Sequence, residues 1–190
     1  MRLAFVHIPK TAGASVKDWF NDNAPGTLIH NGHRPLKYWQ VEKNYNYSFT
    51  VIRNTYQRLI SAYEYTLQRS QIKYNKRMSK GHIQRAESVK RIMEKLNDGI
   101  IPWLQDLILL DNNFIWPLSI WTENVDIILN QETLSEDFIK IQNLVGNYTE
   151  LNKTKHVLSY NSNKHMTDRY IDFVSKHFAE EIEKFNFKPY

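Results

Sequence analysis

The chain of 190 residues contains no cysteine, which excludes a disulfide framework and a cysteine-bound zinc site. It also lacks any run of about 18 uncharged apolar residues, so no membrane-spanning helix is expected. A chain without cysteine fits a reducing compartment, and Met1 and Arg2 lead straight into an apolar segment without a signal peptide. We therefore expect a soluble, cytoplasmic protein without a membrane partner.

The length and the 42% hydrophobic content predict a single globular domain spanning residues 1–190. The net charge of +5 is unevenly placed, because residues 69–95 hold nine cations and two acidic side chains. An apolar stripe with helical spacing runs beside these cations, at Val89, Ile92, Met93 and Leu96. This pattern favours a partly helical insert over about 69–96 with a solvated basic face. Recruitment of an anionic acceptor is the alternative, and no nucleic-acid partner is expected.

The first candidate binding segment is the turn that follows the apolar run from Arg2 to Ile8. This apolar run predicts a buried strand. Beyond Pro9, a helix is predicted with an inward face at Val16, Trp19 and Phe20. The first N–H groups of a helix favour an anion, and the connecting turn adds the Lys10 ammonium and the Thr11 and Ser15 hydroxyls. This turn is P-loop-like, although Lys10 precedes Gly13, whereas a Walker lysine follows its glycine. An ordinary strand-to-helix turn with a surface lysine is the alternative.

A second turn follows the apolar run from Tyr47 to Ile52 and carries Arg53. Asn54 is a favourable helix N-cap residue, and apolar residues with helical spacing follow it. Open α/β sheets bind ligands at the carboxyl ends of their strands, and a forked guanidinium suits a phosphate. Pairing of Arg53 with a carboxylate is the alternative. The two turns together predict a bound phosphorylated ligand.

Strands alternating with helices predict a parallel sheet with helices on both faces. The expected fold is therefore α/β, a P-loop-like three-layer fold with a central parallel sheet. Beyond the second turn, the pattern predicts an apolar helical region over 100–121, a strand over 125–129, a helix over 134–145 and a C-terminal helix that begins near Thr167.

The two turns carry a family resemblance. His-Ile-Pro-Lys-Thr-Ala-Gly-Ala-Ser at 7–15 resembles the 5′-phosphosulfate loop of the carbohydrate sulfotransferase superfamily, the heparan sulfate 2-O-sulfotransferase-like enzymes of the Golgi type. Residues 49–63 resemble that family's 3′-phosphate motif, and looser likenesses occur at 126–138, 151–155 and 183–187. The resemblance implies transfer of a sulfuryl group from 3′-phosphoadenosine 5′-phosphosulfate (PAPS) to an acceptor hydroxyl, on a carbohydrate. The product would be 3′-phosphoadenosine 5′-phosphate (PAP), and no metal is implied.

The resemblance also implies roles for individual residues. The 5′-phosphosulfate would be wrapped by Lys10, Thr11, Ala12, Gly13, Ala14 and Ser15. The 3′-phosphate would be held by Arg53 and Ser61, and Thr154 and Lys155 would lie near the nucleotide. The chain has Thr55 and Gln57 where the family often has proline and aspartate. We expect these departures to reduce pre-organisation modestly without abolishing binding.

An acceptor hydroxyl needs a base, and histidine exchanges a proton most readily near neutral pH. His33 stands where many members of the family carry a histidine implicated as the base, and His30 is the alternative. Lys10 would act in catalysis by neutralising charge on the bridging oxygen as its bond to sulfur breaks. The His-x-x-His spacing is also weakly metal-like, but no cysteine or carboxylate cluster accompanies it. His7 is expected to be a structural residue at the end of its strand.

Several alternatives to a sulfotransferase stay open at this point. They are a small P-loop-like kinase, a nucleic-acid-binding protein that uses the basic segment, and a nucleotide-binding fold member without catalysis. Trp39, Trp103, Trp116 and Trp121 include candidates for stacking on a sugar or adenine, with core packing as the default. The sequence does not identify the acceptor substrate, because acceptor pockets in such enzymes are built from loops.

Overall fold

The computed structural model describes residues 1–39, 44–70, 94–151 and 164–189, without the side chains of residues 69 and 70. The chain divides into two compact units built from interleaved segments. The first contains Met1–Asn54 and Trp116–Val157, and the second contains Thr55–Ile115 and Leu158–Tyr190. Most of the basic insert predicted at 69–96 lies outside the described residues.

The first unit is built on a parallel sheet of four strands, β1 (Leu3–Val6), β2 (Leu28–His30), β3 (Tyr47–Ile52) and β4 (Ile127–Asn130). Their order is β2-β1-β3-β4, and all three pairings are parallel. The predicted parallel sheet is confirmed. Strand β2 was missed, because three residues are too short to show a periodic pattern.

Helices connect and flank these strands, and their bounds in chain order are α1 (Gly13–Asn23), α2 (Thr55–Ser70), α3 (Ile100–Leu109), α4 (Leu118–Thr122), α5 (Leu134–Asp137), α6 (Ile139–Val145), α7 (Asp168–His177) and α8 (Ala179–Lys184). A single 3-10 turn spans Leu36–Tyr38. Among the described residues, none of the helices is both long enough and apolar enough to cross a bilayer.

The apolar face of α1 covers one side of the sheet. Val16, Trp19 and Phe20 are buried there, as the helical spacing predicts. They share a core with Phe5 and Phe49 of the sheet, whose rings stack with centroids 4.9 Å apart. Further members come from β1, β3, β4 and the segment of α5 and α6, and they include Leu3, Val51, Leu129, Leu134, Phe138 and Ile141. This packing fixes the start of α1 at the carboxyl end of β1.

The neighbouring positions along β1 and β3 are buried as well, which is typical of a parallel sheet covered on both faces. Thr50 is fully buried, and its hydroxyl donates to the Val6 carbonyl at 2.7 Å. Ser48 is also fully buried, and its hydroxyl donates to Asp126 at 2.7 Å. Because each buried hydroxyl has a partner, burial of these polar side chains carries little desolvation cost.

Three predicted helices are shorter than expected. The predicted region 100–121 is two helices, because Asp111 takes a left-handed φ of 46° and Pro117 is extended just before α4. The helix predicted over 134–145 divides at Phe138, which itself keeps helical dihedrals. The C-terminal helix begins after Thr167 as predicted, with the Thr167 side chain accepting from the Tyr170 N–H, but it divides at Phe178.

Candidate functional site

The two predicted turns meet in the first unit. Arg53 directly follows β3, and its Nη1 donates to the main-chain carbonyl of Lys10 at 3.3 Å. Both side chains are half-buried. The contact follows from the sheet, because β1 and β3 are adjacent parallel strands and their carboxyl ends lie at the same edge.

The order of the strands makes this edge the expected place for a ligand. The chain passes from β1 through α1 to β2 on one side of β1, and then returns so that β3 lies on the other side. The strand order therefore reverses between β1 and β3. Doubly wound sheets bind ligands at such a switch point, outside the carboxyl ends of the strands. Lys10 and Arg53 lie at this point.

The turn between β1 and α1 has an unusual backbone. Lys10 and Ala12 take left-handed φ angles of 68° and 65°, although neither is glycine. Each such residue costs about 1–3 kcal/mol and persists only where its surroundings enforce it. Thr11 is fully buried between them, and its hydroxyl donates to the Ile8 carbonyl at 3.0 Å. Thr11 therefore holds the turn in shape, which is a contribution beyond the role that the resemblance implied.

Gly13 begins α1 against the ring of His7. A Cβ on Gly13 would overlap Nε2 and Cδ2 of that ring, so any larger residue would have to displace it. The His7 ring in turn stacks on Phe5, with centroids 5.3 Å apart and planes inclined by 18°. A glycine is therefore required here for close packing rather than for a special φ angle.

His33 lies over His7, with ring centroids 4.2 Å apart. Its Nδ1 is 2.9 Å from the main-chain carbonyl of His7. A carbonyl oxygen only accepts, so Nδ1 carries the proton and Nε2 is the basic nitrogen of the neutral ring. His33 as a whole is an exposed residue. This arrangement suits a residue that takes a proton through Nε2.

The three histidines of this region are all held neutral. Burial, followed by the charges of His33, Lys17 and His30, lowers the pKa of His7 to about 3. Desolvation also lowers the pKa of His33, with Lys17 and Lys10 adding to the effect and the hydrogen bond to the His7 carbonyl opposing it. Desolvation, Lys17 and His33 lower the pKa of His30. Burial is the main cause of all three lowered pKa values, and the positive charge of Lys17 contributes to each of them.

A pocket of about 270 Å³ opens beside α1 and the end of β2. Its lining residues are Lys17, Asp18, Asn21, Leu28 and His30. Lys17 acts electrostatically on both His7 and His33, so the pocket lies near this histidine pair. Its walls combine hydrogen-bond donors, acceptors and one apolar side chain.

The other predicted site residues have different positions. Ala14 and Ser15 lie in the first turn of α1, where Ser15 is buried. Ser61 is buried within α2 and belongs to the second unit. Thr154 and Lys155 lie outside the described residues.

The tryptophans divide into core and surface-layer residues. Trp103 and Trp121 are 1% and 0% exposed, so they pack in the core and cannot stack on a ligand. Trp116 packs against Trp121 with centroids 5.9 Å apart, and the Trp39 indole N–H donates to the Arg34 carbonyl at 2.9 Å. The default prediction of core packing is confirmed for Trp103 and Trp121.

Two residues of the site escaped the sequence analysis. Lys17 was not considered, although it lies four residues after Gly13 and so falls on the same side of α1 one turn on. His7 was expected to be structural, but its contact with His33 was not foreseen. The contact between His7 and His33 follows from the pairing of β1 with β2, because each histidine comes shortly after the paired residues Phe5 and His30. The sequence alone does not show that these two strands pair.

Over the described part of the chain, no group of three or more His, Cys, Asp or Glu side chains is placed to hold a metal ion. Comparisons with protein-family models, curated proteins and solved structures give no match. What is established is an α/β protein with a four-stranded parallel sheet and flanking helices, in which Lys10 and Arg53 lie at the β1–β3 switch point.

Proposed function

We propose that this protein is a PAPS-dependent sulfotransferase with a P-loop-like, three-layer fold, and that it acts on a carbohydrate hydroxyl. One observation supports this proposal above the others, namely the contact between the Arg53 guanidinium and the Lys10 carbonyl. This contact makes the turn at Lys10 a neighbour of the turn at Arg53. One ligand with two separated anionic groups can then contact both turns. A PAPS molecule is such a ligand.

In this proposal the β1–α1 turn receives the 5′-phosphosulfate. The main-chain N–H groups at the start of α1 and the Lys10 ammonium supply the positive potential there. Arg53 receives the 3′-phosphate with its planar fork. Lys10 at a left-handed position carries backbone strain that glycine would avoid, and this favours a binding role for its side chain.

The transfer proceeds by in-line attack, by analogy with phosphoryl transfer. The acceptor oxygen forms a bond to sulfur while the bond from sulfur to the bridging oxygen of the 5′-phosphate breaks, and PAP leaves. His33 Nε2 takes the acceptor's proton. Lys10 stabilises the negative charge that develops on the bridging oxygen. The chain thus supplies the base and the electrostatic stabilisation, and the reaction is balanced without a metal.

The acceptor side of the site is proposed to be the pocket beside His30. A volume of about 270 Å³ is sufficient for a sugar ring, and Asp18 and Asn21 offer the paired acceptors and donors that hydroxyl groups bind. Lys17 adds an ammonium to this lining, and it can pair with the carboxylate of an anionic sugar. An anionic sugar is therefore favoured over a neutral alcohol.

Isothermal titration calorimetry without magnesium tests the donor assignment. We expect PAP to bind more tightly than ATP, by at least about tenfold, because only PAP carries the 3′-phosphate for Arg53. Adenosine 5′-phosphate, which lacks that group, is the matched ligand control. Equal affinity for ATP and PAP would contradict the proposal, and magnesium-dependent binding of ATP alone would favour a kinase.

A screen with sulfur-labelled PAPS then tests catalysis and the acceptor class. The panel pairs uronate-containing oligosaccharides with neutral oligosaccharides of equal length. We expect label in the uronate-containing members first. PAP binding without transfer to any member would indicate a nucleotide-binding protein without catalysis.

A further inference from the structure

We infer that His7 is a positioning residue, which holds His33 in one tautomer and one orientation through its main-chain carbonyl and its ring. The catalytic meaning of this inference rests on the proposed function, in which His33 is the base. The structural claim itself concerns only the His7 and His33 pair, and it can be measured without any ligand.

The carbonyl of His7 sets the tautomer. It accepts the hydrogen bond from His33 Nδ1 at 2.9 Å, and this bond fixes the proton on that nitrogen. The residue that provides the carbonyl directly follows β1, so its main chain is anchored by the sheet. His33 itself lies in an exposed connection between β2 and the turn at Leu36–Tyr38. A rigid element therefore orients a side chain that belongs to a loop.

The ring of His7 sets the orientation. It packs against the rings of both Phe5 and His33, at centroid distances of 5.3 Å and 4.2 Å. The close approach of Gly13 prevents it from moving towards α1. His7 thus connects the donor turn to the base, because its ring contacts Gly13 as well as His33.

His7 cannot serve as the base in place of His33. Burial, together with the positive charge of Lys17, keeps its ring neutral and makes it a very weak proton acceptor. Lys17 and Lys10 already lower the pKa of His33 by electrostatic repulsion of its protonated form. The neutral ring of His7 adds no further repulsion. His7 therefore contributes a packing surface and a main-chain carbonyl. It does not compete with His33 for the proton of the acceptor hydroxyl.

Long-range ¹H–¹⁵N correlation spectra of the histidine rings in the wild-type protein give the first test. We expect neutral His33 to carry its proton on Nδ1. His177 is an internal reference, since its Nδ1 lies 2.8 Å from the Phe173 carbonyl in α7 and should show the same pattern. An Nε2–H pattern for neutral His33 beside an Nδ1–H pattern for His177 would overturn the inference. This measurement requires no variant.

The His7→Ala variant tests the part played by the ring. Without the ring, His33 loses packing and desolvation and can turn away from the carbonyl of residue 7, so its measured pKa should rise and its neutral form should become a mixture of tautomers. The spectrum of His177 should not change. A pKa and a tautomer for His33 equal to those of the wild type would show that the ring does not position it.

The Gly13→Ala variant approaches the same contact from the donor turn. Its Cβ displaces the His7 ring, so the His33 resonances should shift in Gly13→Ala. In the double variant His7→Ala/Gly13→Ala the steric conflict is absent, and the His33 resonances should match those of His7→Ala alone. Independent, additive shifts would contradict the linkage. Failure of PAP to bind would remove the proposed function, and these spectra would still decide the positioning role.

Discussion

Arg53 meets Lys10 through a main-chain carbonyl and not through a carboxylate. The Lys10 carbonyl helps to orient the planar guanidinium, whose fork suits a phosphate. The sequence left pairing of Arg53 with a carboxylate as an alternative. The contact between Arg53 and Lys10 brings two cationic residues together, which is the arrangement that an anion-binding site requires.

Replacing Arg53 by alanine should weaken PAP binding about 10- to 100-fold, because a charge-assisted hydrogen bond is worth about 1.5–3 kcal/mol. The affinity for adenosine 5′-phosphate should change little, and the calorimeter measures both. Arg53→Lys should lie between wild type and alanine, since an ammonium keeps the charge but loses the fork. Arg169→Ala, an exposed arginine in α7, is the matched control. Equal losses for the two nucleotides would show that Arg53 does not bind the 3′-phosphate.

The lowered pKa of His33 predicts the pH dependence of transfer. A base works in its neutral form, and the pKa of His33 lies below its ordinary value of 6.5. The rate should therefore be near its plateau at pH 7 and should fall only as the pH drops below 6.5, by about tenfold per unit once His33 is protonated. Initial rates with labelled PAPS and the acceptor from the panel measure this profile.

The variant His33→Ala should lose about 10²–10⁴-fold in rate with little change in PAP affinity, and it should lose the acid limb of that profile. His177→Ala serves as the control histidine. If transfer survives in His33→Ala with the acid limb intact, His30 or another group is the base.

At the scale of elements, strand and helix positions were predictable where they carry a periodic apolar face. Strand β3 has the predicted bounds, and Tyr56, Leu59 and Ile60 form the predicted buried stripe on α2. Strand β2 and the breaks near Asp111 and Phe178 were missed. The spacing of apolar residues in the sequence shows which face of a helix or strand is buried. It does not show the residue at which tertiary contacts end that helix or strand.

Helix α2 carries a buried carboxylate in the second unit that affects stability. Glu64 accepts from the Lys164 ammonium at 2.8 Å and also bonds to His165. Burial raises the pKa of Glu64, but the hydrogen bonds from Lys164 and His165 outweigh this effect and lower the pKa overall. Because its pKa is lower in the folded state, ionised Glu64 stabilises the fold above its ordinary pKa of 4.5, and this stabilisation is lost as the pH falls through the folded value.

Glu64→Gln should therefore lower the free energy of unfolding by about 1–3 kcal/mol at pH 7, because a buried charged hydrogen bond is lost. The difference from wild type should shrink as the pH is lowered from 5 towards 3. Urea denaturation at several pH values measures it. Glu150→Gln, at an exposed position, should change stability by less than about 0.5 kcal/mol throughout. A deficit in Glu64→Gln that is independent of pH would argue for a packing effect.

At the scale of the whole chain, the sequence predicted a parallel sheet but not the order of its strands. Adjacency of β1 and β3 depends on contacts such as that between Phe5 and Phe49, which are 44 positions apart and leave no local signal. The order matters because it brings Lys10 and Arg53 to the same switch point. The prediction of one domain over 1–190 stays a prediction, and each of the two compact units contains segments from both halves of the chain.

The left-handed backbone at Lys10 and Ala12 has a consequence for attempts to engineer this protein. Glycine at either position would relieve strain, so a selection for heat resistance alone would favour it. At position 10 such a gain would remove the ammonium on which the proposed chemistry depends. Variants selected for thermal stability would then carry substitutions in the turn that the proposed ligand contacts. Such a selection would have to measure both melting temperature and catalytic rate.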